Sequence, residues 1–122
     1  MEKEVDVITL CKRLLELTKQ EKCAWKETSE NNRFKLNLKN GSVEIYYYDP
    51  EPMEFMESEY YEVSLFDNGL FRYASYKALL SQKEDYKTFS ALYNEVREFL
   101  EKKRRRKIAL LFEELDDAEE SR

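Results

Sequence analysis

The chain has 122 residues, of which 42% are hydrophobic and 39% are charged, and it carries a net charge of −5 with no histidine. This length predicts one domain that buries a core without disulfide or metal support. The lack of histidine excludes Ser-His and Cys-His nucleophile pairs and histidine metal sites, and the net charge argues weakly against general nucleic-acid binding. With only two glycines, both in turn signals, the chain has no room for a P-loop or a dinucleotide-binding loop.

The N-terminal segment predicts a helix over residues 3–20, because its apolar residues recur at spacings of three and four. The first ten residues interleave acids with apolar residues, unlike a secretion signal, and no apolar run approaches the ~18 residues that span a bilayer. The two cysteines, Cys11 and Cys23, lack CxxC spacing. We therefore expect reduced thiols in a cytoplasmic protein.

Residues 23–28 predict a short first strand with Trp25 turned inward, and a first hairpin follows it. Apolar and polar residues alternate over residues 33–39, and Asn40-Gly41 is well suited to a two-residue turn. The register that this turn sets places every apolar residue on one face. Its apolar pairs are Leu38 with Val43, Leu36 with Ile45, and Phe34 with Tyr47.

The second hairpin joins residues 60–66 to 70–76. A three-residue loop, Asp67 to Gly69, with Gly69 left-handed in a bulge, keeps Arg72 out of the core. This register pairs Leu65 with Phe71 and Val63 with Tyr73. Between the hairpins, residues 49–62 carry six acids and no base, namely Asp49, Glu51, Glu54, Glu57, Glu59 and Glu62. We expect the loop over residues 49–58 to be solvated charge rather than a carboxylate metal site at Glu51, Glu54, Glu57 and Glu59.

A second amphipathic helix begins near Asp85, and its spacing continues beyond the basic run at residues 102–107. Either one helix reaches about residue 117, or the chain breaks near 103–107 and a short third helix follows. The fold class is therefore α+β, an antiparallel five-strand meander with two long helices packed on one face and a possible short third C-terminal helix. Residues 1–103 form one domain, and residues 104–122 form a helical extension with a basic start and an acidic end. The expected core is Leu14, Trp25, Phe34, Leu36, Leu38, Val43, Ile45, Val63, Leu65, Leu92, Val96 and Leu100.

The extension contains two features that need an explanation. Its apolar residues need a cover, and packing back on the same domain is the expectation, with a partner or a second copy as the alternative. The basic run is typical of a nucleic-acid or targeting patch. We favour a solvated helix end, where bases suit the helix dipole and Glu113 and Glu114 partly neutralise them.

Candidate contact residues lie on the open face of the sheet and on the extension. Aromatic residues beside bases are typical of protein interfaces and of nucleobase-stacking surfaces, and cross-strand pairing alone also favours them. The candidates for a protein partner are Tyr46, Tyr48, Tyr60, Phe66, Ile108, Leu111, Phe112 and Leu115. The candidates for nucleic acid are Arg33, Lys35, Arg72, Lys102, Lys103, Arg104, Arg105, Arg106 and Lys107.

The order of landmarks resembles that of many small uncharacterised bacterial proteins. The segments that carry the resemblance, within residues 10–100, are LLELTKQEKCAW, RFKLNLKNGSVEIYY, YYEVSLFDNGL and FSALYNEVREFL. The resemblance implies a helix, a strand with a tryptophan, two hairpins and a closing helix, and it implies no catalytic or binding residues. Proteins similar to this one often occur on phage and other mobile elements, which implies an interaction or inhibitor role.

We therefore expect a non-enzymatic protein-interaction module in the cytoplasm, with no cofactor and no contact with membrane, which self-associates or binds a partner. The alternatives are single-stranded nucleic-acid binding through the open sheet face, and an acidic decoy of nucleic acid that uses residues 49–62.

Overall fold

Within the residues that the structure describes, five antiparallel strands follow one another in chain order across a single sheet, with one helix before them and one after them. The computed structural model describes residues 6–50 and 58–120. The elements are α1 (Val7–Lys19), β1 (Lys26–Glu27), β2 (Arg33–Leu38), β3 (Gly41–Tyr48), β4 (Tyr60–Phe66), β5 (Arg72–Leu79) and α2 (Lys83–Glu120), with strand order β1-β2-β3-β4-β5. This arrangement confirms the predicted α+β class and the five-strand meander.

Helix α1 is fixed at its start by a side-chain cap and at its end by Trp25. The Asp6 carboxylate accepts a hydrogen bond from the Thr9 N–H at 2.7 Å, which lowers the pKa of Asp6 and satisfies one open donor of the first turn. The indole N–H of Trp25 donates to the Thr18 hydroxyl at 2.9 Å, and that hydroxyl donates to the Leu14 carbonyl at 2.7 Å. Trp25 is fully buried and immediately precedes β1. This chain of bonds therefore joins α1 to the segment that leads into the first strand.

The register of the first hairpin differs by two residues from the prediction. Leu36 pairs with Val43, Phe34 pairs with Ile45, and Leu38 pairs with Gly41, so the turn is Lys39–Asn40. A shift of two residues keeps each side chain on its predicted face, but it leaves Leu38 at the end of the sheet. Leu38 is 51% exposed, and its expected place in the core was wrong.

Gly41 explains this register. Its φ is +150°, and a Cβ there would lie 2.2 Å from the Phe66 carbonyl oxygen of the neighbouring strand. Only glycine allows that approach of two backbones. The glycine therefore begins β3 rather than occupying the centre of the turn.

The second hairpin has a longer loop than predicted. Phe66 pairs with Arg72, Leu65 pairs with Ala74, and a bulge lies between Leu65 and Phe66. The left-handed residue is Leu70 at φ +66° rather than Gly69. The Asp67 carboxylate accepts hydrogen bonds from the N–H groups of Gly69 and Phe71 at 2.9 and 3.1 Å and so holds the longer loop. Arg72 lies outside the core as expected, but Tyr73 is exposed instead of facing Val63.

The core lies between the inner face of the sheet and the two helices. It joins buried residues of α1, Trp25, strands β2 to β5 and the first half of α2. Of the expected core residues, Phe34 and Leu65 are half-buried, Leu38 is exposed and the others are buried. Truncation of a buried aliphatic side chain in such a core costs about 2–5 kcal/mol.

Helix α2 is continuous over 38 residues, with no break at residues 103–107 and no third helix among the described residues. Its last buried side chain is Leu100, and every residue from 101 to 120 is exposed. The division into residues 1–103 and 104–122 as separate units stays a prediction. Neither described helix has an apolar stretch that could cross a membrane.

Candidate interaction surfaces

The open face of the sheet carries polar and aromatic side chains in rows that cross the strands. Directly paired residues of antiparallel strands point to the same face, so the register defines these rows. One row is Arg33, Tyr46, Glu62 and Lys77, and the next is Tyr48, Tyr60 and Leu79. A third row, on the other side of the first, contains Lys35, Glu44, Ser64 and Ser75. A fourth, next to the hairpin ends, contains Asn37, Ser42, Phe66 and Arg72.

The aromatic rings of this face pack on one another. Tyr48 and Tyr60 stack with centroids 4.9 Å apart and planes at 20°, and Tyr46 meets the edge of Tyr60 at 6.3 Å. The ammonium group of Lys77 lies 4.7 Å from the Tyr60 centroid. All three tyrosines and Phe66 are half-buried. These contacts are the cross-strand pairs that stabilise a sheet, and they occupy part of the ring surface that a nucleobase would need.

Arg33 is likewise held within the protein. Its guanidinium lies 2.7 Å from the Glu30 carboxylate and 3.2 Å from that of Glu44, and 4.3 Å from the Tyr46 centroid. Burial lowers the pKa of Arg33, but the hydrogen bonds and charges of the two glutamates exceed that effect and raise it. Lys35 lies on the same face. Arg72 lies on the same face but on β5, three strands away from β2.

Glu59 connects the sheet to α2. Its carboxylate accepts hydrogen bonds from the hydroxyl of Tyr47 and, at 2.7 Å, from that of Tyr86. These bonds lower the pKa of Glu59, while burial and the same carboxylate raise the pKa of Tyr86 to about 12. Glu59 is thus a structural acceptor. The remaining residues of the carboxylate site considered above, Glu51, Glu54 and Glu57, lie outside the described residues, and no described group of three acids or cysteines could hold a metal.

The outer half of α2 presents an uncovered apolar surface. We call Ile108, Leu111, Phe112 and Leu115 the apolar stripe, because spacings of three and four place them along one side of the helix. Their exposed fractions lie between 46% and 62%. The expectation that these residues pack back on the domain was wrong, since α2 runs straight past the core.

The charges on the outer half of α2 fall into two blocks. We call Lys102 to Lys107 the basic block and Glu113 to Glu120 the acidic block; each holds six charges of one sign. Arg104 pairs with Glu27 and, at 2.6 Å, with Glu101, and Arg106 pairs with Glu21 at 2.8 Å. No ion pair joins the two blocks within the described part of the chain. The expected neutralisation by Glu113 and Glu114 was therefore wrong.

The structure does not bring the nucleic-acid candidates together. Arg33 and Lys35 lie on the open face, whereas the basic block belongs to the helix that packs on the other face. Arg104 of that block meets the domain through Glu27, whose strand partner is Phe34 on the inner face.

Sequence reasoning missed a second apolar surface at the hairpin ends. Leu70, Phe71 and Tyr73 are exposed there, and Leu38 and Tyr73 line a shallow groove of about 370 Å³ with Leu10 and Leu65. The prediction had placed Phe71, Tyr73 and Leu38 on the buried face. These residues lie at the end of a strand or in the loop between strands, where alternation does not distinguish a buried apolar residue from an exposed one, so the alternation alone could not have found this surface.

Comparison with protein-family models, with curated proteins and with solved structures found no match. The resemblance to small bacterial domains therefore stays a prediction.

Proposed function

We propose that the protein is a non-enzymatic, cytoplasmic protein-interaction module whose contact element is the apolar stripe. The observation that carries this proposal is an amphipathic helix about 20 residues long that continues past the last buried residue, Leu100. Burying one leucine or phenylalanine side chain stabilises a complex by about 1.5–3 kcal/mol. Four such side chains on one helix face fit the way an amphipathic helix binds a partner.

The physics of the free helix supports the same proposal. An isolated helix of this length is marginal in water, and most helices depend on packing of an apolar face. The stripe provides such a face, and residues 101–120 leave it exposed. Cys11 and Cys23 are buried free thiols, which agrees with a reducing compartment.

The test is photo-cross-linking in cells of the native host, with a photoreactive phenylalanine derivative in place of Phe112. The matched control carries the same group in place of Leu110, which is equally exposed but lies on another side of the helix. We expect discrete protein adducts from position 112 and none from position 110. If neither position gives an adduct, or both give the same background, the stripe is not a contact element and the proposal is wrong.

Single-stranded nucleic-acid binding is the second candidate, and the exposure of the basic block favours it. The acidic block beside it and the packing of the open-face rings on one another oppose it. Fluorescence anisotropy with short DNA and RNA oligomers at about 50 and 200 mM salt tests it, because phosphate binding weakens steeply as salt rises. We expect no binding at either salt concentration. Salt-sensitive binding that is lost when the basic block is replaced by glutamines would favour nucleic acid over a protein partner.

A further inference from the structure

The charge pattern of the outer half of α2 is unfavourable for a single helix. Side chains three and four residues apart are neighbours, and like charges at those spacings repel. Within the basic block, Lys103 has Arg106 and Lys107 at those spacings, and within the acidic block Glu113 has Asp116 and Asp117. The acids also occupy the C-terminal end of α2, where the last turn contains no base and the helix dipole disfavours negative charge.

The two blocks cannot relieve each other within one chain. The residues three and four positions before Glu113 are Leu110 and Ala109, so no base of the basic block is its neighbour. Arg104 and Arg106 already pair with acids of the same chain, but no ion pair of the described residues involves the acidic block. A partner that offers bases to the acidic block, and acids to the remaining bases of the basic block, would relieve this repulsion. The partner must also present an apolar centre to the stripe between them.

A second copy of this chain, running in the opposite direction, meets all three requirements. The middle of the stripe lies between Leu111 and Phe112. A two-fold axis through that point sets Ile108 opposite Leu115 of the other copy. It also sets residues 103–107 of each copy opposite residues 116–120 of the other, so that bases face acids on both sides of the apolar centre. A parallel pair would instead place base against base and acid against acid.

We propose that the protein forms a homodimer in which the outer halves of two α2 helices pack antiparallel through the apolar stripe. This inference rests on the proposed function and names the partner as a second copy. The interface is closed and uses the same surface of both chains, as a two-fold dimer requires.

The stripe and the domain core use different sides of α2. At 100° per residue, the stripe is rotated about a quarter turn around α2 from the side that Leu100 and Val96 bury against the sheet. Residues 101–120 extend about 30 Å at 1.5 Å per residue. In an antiparallel pair the two domains therefore sit at opposite ends of the paired helices.

The first experiment measures mass against concentration by sedimentation equilibrium, with the full chain at low and high salt. We expect a dimer whose dissociation constant rises with salt, because exposed charge pairs are screened. Leu111→Asp should raise the dissociation constant by about 100-fold or more, since each dimer loses two buried leucines. Leu110→Asp is the matched control, because the two leucines are 59% and 60% exposed and adjacent, and it should dimerise as the wild type does.

The second experiment determines the direction of the helices by disulfide cross-linking. Chains with Ile108→Cys and chains with Leu115→Cys are oxidised separately and as a mixture, with the wild type as control because Cys11 and Cys23 are buried. We expect cross-links only in the mixture. Residues 108 and 115 of one helix lie about 10 Å apart along the axis, too far for a disulfide within the chain or between parallel copies.

A monomer at every concentration, or equal loss of dimer in both aspartate variants, would overturn the homodimer. Cross-linking of the Ile108→Cys chain with itself would overturn the antiparallel direction. These outcomes are distinct from failure of the proposed function. If the photoreactive group at position 112 captures a different protein while the purified chain stays monomeric, the interaction module stands and self-association is wrong.

Discussion

Leu36 and Leu38 provide the sharpest test of the fold, because they are the same residue type, on the same strand and the same face. The sequence pattern predicts both in the core, whereas the structure gives Leu36 2% exposure and Leu38 51%. Leu→Ala removes three carbons, worth about 2.4 kcal/mol of transfer free energy at about 0.8 kcal/mol each. At Leu36 a cavity adds to this, so we expect a loss of about 3–4 kcal/mol.

At Leu38 about half of the side chain is already in water and no closed cavity forms, so Leu38→Ala should cost about 1 kcal/mol. Equilibrium urea unfolding measures both losses. With a slope of about 1.5 kcal/mol per molar, the Leu36→Ala midpoint falls by about 2 M and that of Leu38→Ala by less than about 1 M. Each substitution is made in the Leu111→Asp chain, so that dimer formation does not contribute to the measured stability. Equal losses at the two positions would refute the observed register of the hairpin.

Three further predictions concern polar contacts. Thr18→Val should cost about 1–3 kcal/mol in urea unfolding, because the buried Trp25 N–H loses its acceptor, while Thr18→Ser, which keeps the hydroxyl, should cost less; equal losses would contradict a role for this bond. The pKa of Glu59 is lower in the folded state than its unfolded value of 4.5. Ionised Glu59 therefore stabilises the fold above pH 4.5, and this stabilisation is lost as pH falls through the lower folded pKa. Glu59→Gln should flatten the acid side of a plot of thermal midpoint against pH. The pKa of Tyr86 is raised from 10.0 to about 12. Protonated Tyr86 therefore stabilises the fold below pH 10, and this stabilisation is lost between pH 10 and about 12, so Tyr86→Phe should remove the fall in thermal midpoint over that range. A profile of thermal midpoint against pH that is unchanged in either variant would contradict these assignments.

Much of the sheet was predictable because the period of two identifies the faces of strands. The period cannot distinguish registers that differ by two residues, since each side chain keeps its face. In the observed register, Gly41 closely approaches the Phe66 carbonyl of the neighbouring strand. This contact joins two strands that are distant in sequence, so no local pattern encodes it. In the observed register Leu38 pairs with Gly41 at the end of the sheet and is exposed.

The second hairpin shows a related limit. The loop is held by two hydrogen bonds to the Asp67 carboxylate, and this side chain competes with the bulge that Asn68-Gly69 favours. The positive φ consequently falls on Leu70. Propensity identified a hairpin here but not the length of its loop.

The candidate site was predictable in its residues but not in its surroundings. Spacing identified the apolar stripe, but periodicity describes one helix and carries no information about what covers it. The open-face tyrosines were correctly placed on one side of the sheet, yet their packing against Lys77 and Arg33 depends on pairing across strands. Composition alone could not distinguish aromatic rings that pack on each other from aromatic rings that are free to bind a ligand.

The continuity of α2 makes the direction of the apolar stripe a property of residue spacing. Because one helix joins Leu100 to Ile108 without a break, each inserted residue would turn the stripe by 100° and move it 1.5 Å outward. One extra alanine in this segment would point the same side chains away from their former direction, with the domain core untouched. Seven extra residues would turn the helix by nearly two full turns and restore the direction to within about 20°. The number of residues between Leu100 and the stripe therefore determines the direction in which the stripe points. Insertions of three, four or seven residues change that direction least.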